Sequence, residues 1–206
     1  MSAETFAFDC SRRVHPSRQE AEEAVRTLLA YFGERAAREG LKDTPRRFVD
    51  AYQEFLAGYA GDPAAILART FEDAHGYSDV VLLRDIRVEY HCEHHLQPII
   101  GVAHVAYLPT ARIAGISKLA RVVDAFARRL QNQEALTHQI AAAIEKALEP
   151  RGVAVLIEAE HHCLSTRGVH KTGVMCLTRC FKGAFLEDEK LEARFFRMIG
   201  RDSGRR

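Results

Sequence analysis

Apolar positions recur along this chain in two periods, and the period switches near residue 79. Behind a Ser17/Glu20 capping box, Ala21, Ala24, Val25, Leu28, Leu29 and Phe32 return every three or four residues, which predicts a helix with Gly40 as a stop beyond it. Thr44-Pro45 reads as an N-cap with proline at the first helical position, and Phe48, Tyr52, Phe55 and Leu56 give that helix an apolar side up to Gly58. A short helical piece is expected around Pro63 to Ala68. From Asp79 alternation takes over. Val80-Val81-Leu82-Leu83, then Ile86, Val88 and Tyr90, predict a strand or a pair broken near Arg84-Asp85. Ile99 to Leu108 reads as the antiparallel return strand, stopped by Pro109.

The helical period then returns twice. Ser117 can cap a helix whose Leu119, Val122, Val123, Phe126 and Leu130 face a core, and Asn132 can cap another with Leu136, Ile140, Ile144 and Leu148 inward and Pro150 as terminator. Gly152 to His161 reads as a strand, Val174 to Phe181 as its partner, and Lys190 to Ile199 as a final helix. The order strand, strand, helix, helix, strand, strand predicts one α+β domain over residues 79–206. It follows a helical segment over 17–78 and a loose leader over 1–16.

Composition narrows the class. A chain of 206 residues, 47% hydrophobic and 28% charged, is an ordinary soluble globular protein with room for one sizeable core. A net charge of +1 gives no general electrostatic case for nucleic acid or a membrane surface, so any anion needs a local cluster. No run resembles a membrane span or a signal peptide, and five cysteines, an odd count, suit a reducing cytoplasm better than a disulfide framework. Cys10 reads as a free thiol in the leader, and Cys176 and Cys180 as small buried residues. Cys92 and Cys163 differ because each has histidines beside it.

Cys92-Glu93-His94-His95 falls in the turn after an apolar strand, and His161-His162-Cys163 at the end of another. Thiolates with imidazole are the donors zinc prefers, and three of them leave one position open. C-x-x-H spacing lets Cys92 and His95 converge on one ion, which leaves His94 for acid–base or hydrogen-bonding work. Residues two apart on a strand share a face, so His161 is expected beside a metal held by Cys163. The competing reading is a closed structural site, its fourth ligand supplied by His94, His161 or Cys176. An open zinc lowers the pKa of bound water to about 7, and a histidine beside it can protonate a departing nitrogen, so the open reading suggests hydrolysis of a C–N bond. Lys118 and Arg121, with Ser117 at the cap, and Arg167 after Cys163 could neutralise a phosphate chain. Arg128 and Arg129 are left as surface residues. Gln133-Glu134 opens a helix, where a carboxylate is favourable charge in a first turn or an acceptor for a guanine-like ring edge.

At these residues the chain resembles GTP cyclohydrolase I. The matching segments are Cys92 to His95, Gly115-Ile116-Ser117-Lys118-Leu119-Ala120-Arg121, Gln133-Glu134 before Leu136-Thr137, His161 to Cys163 with Arg167-Gly168, and Thr44-Pro45-Arg46-Arg47. The likeness runs in order over about residues 18–200. It implies the tunnelling fold, an antiparallel four-stranded sheet with two helices on one side, the sheets of several subunits closing into a barrel. It also implies a homodecamer with sites at subunit boundaries. By the same resemblance Cys92, His95 and Cys163 hold zinc, whose water attacks C8 of GTP, and His161 assists at the ring nitrogen as formate leaves. His94 and Ser117 serve near the ribose, and Glu134 with Gln133 grips guanine. Lys118, Arg121, Arg167 and, from another subunit, Arg47 hold the triphosphate of a substrate that ends as 7,8-dihydroneopterin triphosphate. Two departures stand out. Asp50 replaces a basic residue that relatives often carry three places after Arg47, and residues 171–182 lack a threonine- and serine-rich run.

Overall fold

The computed structural model describes residues 15–68, 70–71 and 76–200, so most of the expected leader, with Cys10, lies outside the described residues. The chain divides into two compact units, one ending at Glu54 and the other beginning at Phe55. The sequence division at 78/79 instead follows the change of hydrophobic period.

The first unit holds α1 (Arg18–Tyr31) and most of α2 (Thr44–Phe55). The capping box is present: Ser17 accepts from the Glu20 N–H, and the Glu20 carboxylate accepts from the Ser17 N–H at 2.7 Å. Phe32 ends α1 well before Gly40. Thr44 is already helical, with Pro45 buried behind it. Asp50, one of the two departures, accepts from Arg18 at 2.5 Å and from Arg46 at 3.3 Å, so it ties the two helices together. Arg47 is exposed and pairs with Asp43 at 3.6 Å.

In the second unit a 3₁₀ turn (Ala57–Ala60) and α3 (Pro63–Leu67) precede β1 (Thr70–Phe71). Gly58, expected as a helix stop, serves close packing instead. A Cβ there would sit 2.5 Å from the Ala125 carbonyl, and its N–H donates to the Arg128 carbonyl at 2.9 Å. Arg129 corrects the surface reading. It is half-buried, donating from Nε to the Gly58 and Ala125 carbonyls at 3.1 and 2.9 Å, and burial lowers its pKa.

The sheet follows: β2 (Val81–Cys92), β3 (Pro98–Leu108), a short β4 (Ile113–Ala114) paired with β1, then α4 (Ile116–Ala127), β5 (Leu130–Gln131), α5 (Gln133–Leu148) and β6 (Gly152–His161). The chain ends through a helical turn α6 (His162–Ser165), β7 (Met175–Gly183), α7 (Ala184–Glu187) and α8 (Glu189–Met198). Strand order is β5-β2-β3-β6-β7, antiparallel except where β5 adds two residues parallel to β2. The expected break at Arg84-Asp85 is a bulge inside one strand, with Asp85 at φ 58°.

Alternation along the strands builds two cores. Val153, Val155, Ile157 and Ala159 of β6 meet Leu119, Val122 and Val123 of α4 and Leu136, Ile140 and Ile144 of α5. Ala154 and Leu156, on the other face, pack with Phe185, Phe195 and Ile199. A four-stranded antiparallel sheet with α4 and α5 on one face is the tunnelling-fold layout. In the atypical stretch, Cys180 packs against the larger core, while Met175, Leu177 and Arg179 on alternate positions are exposed. No helix among the described residues is long and apolar enough to cross a membrane.

Candidate metal centre

β3 is flanked by β2 and β6, and one rung of the sheet runs Tyr90–Ile99–His161. Both flanking strands therefore end at the same level, and their two terminal turns meet there. The first turn is tight. Cys92 N–H donates to the Gln97 carbonyl at 2.9 Å and Leu96 N–H to the Cys92 carbonyl at 2.8 Å, with Leu96 at φ 53°. It is also tied sideways to the start of α5, because Glu93 N–H donates to the Gln131 carbonyl at 3.1 Å and Asn132 Nδ2 to Glu93 Oε1 at 2.8 Å.

The second turn departs from expectation. Cys163 lies in helical α6 rather than on a strand, so the argument that it shares a strand face with His161 does not hold. The chain coils after His161, and Thr166 donates to the His162 carbonyl from both N–H (2.9 Å) and Oγ1 (2.6 Å). That coil swings Cys163 under the first turn. The donor atoms of Cys92, His95 and Cys163 lie within 4.8 Å of one another, with Cys92 buried, Cys163 half-buried and His95 exposed. Cys92 Sγ is 3.7 Å from His95 Nδ1 and 3.9 Å from His94 Nδ1. Ligands around a tetrahedral zinc stand about 3.5–3.8 Å apart, so a small closure of the group accommodates that ion. Burial, then the Cys92 sulfur beside it, pushes the Cys163 thiol up, and the charge of Arg167 acts the other way. Two thiols packed this closely suit a cation that would hold both as thiolates.

His161, the last residue of β6, lies two positions before Cys163 along the chain, and its Nε2 is 2.7 Å from Gln133 Oε1. Burial holds its pKa below the usual value, and Glu134 opposes this. Glu134 is exposed on the first turn of α5 and close enough to act also on Tyr90 and Cys176. Gln133 is buried and turned inward: its amide donates to the Ile157 and Cys176 carbonyls at 3.1 and 3.0 Å, and Tyr90 Oη donates to its Oε1 at 2.9 Å. A side chain engaged in this way has no group left for guanine, which corrects the expected grip through its amide. Ser117 is not a cap. Gly115 holds that position without a side-chain bond, and Ser117 lies inside the first turn of α4, exposed, with Lys118 half-buried and Arg121 exposed after it. Asn132 is a cap, accepting from Ala135 N–H at 2.8 Å. Tyr90 and Glu93 were missed as site residues, since a strand tyrosine and a turn glutamate carry no spacing signal of their own.

The GTP cyclohydrolase I family model matches residues 21–200. The chain belongs to the GTP cyclohydrolase I family. Two curated relatives carry the name GTP cyclohydrolase 1. That of Maricaulis maris (strain MCS10) is 56% identical over 186 residues, 90% of this chain and 91% of the relative. That of Hyphomonas neptunium (strain ATCC 15444) is 58% identical over 185 residues, 90% of each chain. Among solved structures, the archaeosine synthase QueF-Like in its apo form aligns with 52% of this chain and 97% of its own, at TM-score 0.45 and 19% identity. The family match includes both ligand turns, the start of α4 and the start of α5.

Proposed function

We propose that this chain is a zinc-dependent GTP cyclohydrolase I, opening GTP at C8 of guanine, releasing formate and closing the product to 7,8-dihydroneopterin triphosphate. The observation that carries this is the convergence of Cys92, His95 and Cys163 beside His161 and Glu134 in a member of that family. Bound zinc would supply an activated water for the hydrolysis. His161, part-buried beside the group, would move a proton at the imidazole ring nitrogen that departs from C8. Glu134, exposed at the head of α5, would accept from the guanine N–H edge. His94 and Ser117 would act at the ribose during rearrangement and ring closure. Lys118, Arg121 and Arg167 would hold the triphosphate, with Arg47 supplied by another subunit of a homodecamer. A site built on free thiols suits a reducing cytoplasm.

The test is direct. Purified zinc-loaded protein incubated with GTP is expected to release formate and to give a fluorescent pterin after oxidation. Protein that kept its zinc and left GTP intact would overturn this reading in favour of a non-catalytic, zinc-stabilised oligomer.

A further inference from the structure

Two acceptors and two donors around the Gln133 side chain decide where a proton sits on His161. The Gln133 side chain meets two backbone carbonyls, of Ile157 and Cys176, at 3.1 and 3.0 Å. Carbonyls only accept, so the amide NH2 must face them. A flipped amide would set its oxygen against both and leave four acceptor lone pairs facing one another. With the nitrogen fixed, Oε1 faces Tyr90 Oη at 2.9 Å and His161 Nε2 at 2.7 Å. An amide oxygen cannot donate, so His161 Nε2 carries a hydrogen. The neutral ring then has its lone pair on Nδ1. The support is rigid: Gln133 is buried at the first residue of α5, and its own carbonyl accepts from Thr137 Oγ1 at 2.6 Å. Tyr90 is buried in the core on the same rung as His161.

We infer that Gln133 is a positioning residue that fixes the ring plane and tautomer of His161, so that Nδ1 is the atom offered to the substrate. The inference rests on the reading of His161 as the proton-moving group, and it deepens that reading. It also gives Gln133 a use that contact with guanine would not. Tyr90 Oη takes up the second acceptor site of Oε1, while the two carbonyls that face the NH2 keep the amide from rotating.

The experiment is long-range ¹⁵N–¹³C correlation of the histidine rings in zinc-loaded protein without nucleotide, His161 being assigned by its loss in His161→Ala. The expected pattern is a protonated Nε2 and a bare Nδ1. Gln133→Met keeps the volume and removes the acceptor. It is expected to give mixed tautomers, with kcat down about ten- to a hundredfold, KM for GTP nearly unchanged and zinc content unchanged. Tyr90→Phe leaves the Gln133–His161 bond in place and is expected to keep the wild-type pattern. A bare Nε2 in the wild-type protein would overturn the inference by itself, whether or not the variants fold. So would a wild-type pattern surviving in Gln133→Met. The expected pattern in a protein that left GTP intact would instead overturn the functional reading, with the proton where it is placed here.

Discussion

Asn132 Nδ2 donates to Glu93 Oε1 at 2.8 Å while Asn132 Oδ1 accepts from the N–H of Ala135 at the same distance. One amide therefore caps the helix that presents Glu134 and grips the turn that presents His95. Asn132→Asp would keep the cap oxygen and set a carboxylate against Glu93. Its melting temperature is expected to stay near wild type while turnover falls. Asn132→Ala would lose both bonds and about 1 kcal/mol of stability. If Asn132→Asp turned GTP over at the wild-type rate, the grip on the turn would be irrelevant to activity.

Cys163→Ser is expected to lose metal and turnover together, because a hydroxyl is a poor zinc ligand. His161→Ala is expected to retain the metal and lose turnover, since Nε2 of that ring is engaged with Gln133. Metal content by elemental analysis beside kcat separates the two cases. An empty site in His161→Ala would make that histidine a ligand.

Gly101 lies on β3 where β6 passes closest. A Cβ there would stand 2.0 Å from the Glu158 carbonyl and 2.5 Å from Ala159 Cα, both backbone atoms that cannot step aside. Gly101→Ala is expected to destabilise by about 1–3 kcal/mol through overpacking, read as a lower midpoint in urea. Gly61→Ala, whose nearest neighbour would be 3.8 Å away, serves as the control and is expected to be close to neutral.

Arg194 holds both carboxylate oxygens of Asp79 at 2.7 Å, joining α8 to the entry of β2. That bond holds the Asp79 pKa below its ordinary value. A depressed carboxylate stabilises above its unfolded pKa of about 3.9 and loses that stabilisation as pH falls through the folded pKa. Asp79→Asn is therefore expected to melt lower than wild type at pH near 7, the difference shrinking in acid. A difference that grew in acid would contradict the assignment.

Much of this fold was written in the chain. Alternation marked β2, and runs of apolar residues marked β3, β6 and β7, while Asn132 announced its helix. The C-x-x-H spacing was legible because a single turn brings Cys92 and His95 together. Cys163 was legible as a donor but not in its geometry: nothing in His161-His162-Cys163 says that the strand stops and coils after the first histidine. Gln133 failed in the opposite way. Beside Glu134 it looked like a ligand contact, whereas the carbonyls that turn it inward come from β6 and β7, 24 and 43 residues downstream. Arg129 was misread for the same reason, its partners lying in the 3₁₀ turn 71 residues upstream and in the helix just before it. Long-range carbonyls leave no local trace.

β3 contributes no ligand, yet its length is under a constraint that the ligands are not. Tyr90 and His161 are opposite one another only because both are registered on Ile99. Inserting or deleting one residue within Pro98–Leu108 would invert the β3 side chains beyond that point and put its pairing with β2 and β6 out of register there. Insertions, loop grafts and circular permutation belong instead in the exposed connections at 110–112 and 171–174, where no rung is counted. The strand works as a ruler, and its graduations, more than its side chains, are what an engineered variant has to leave alone.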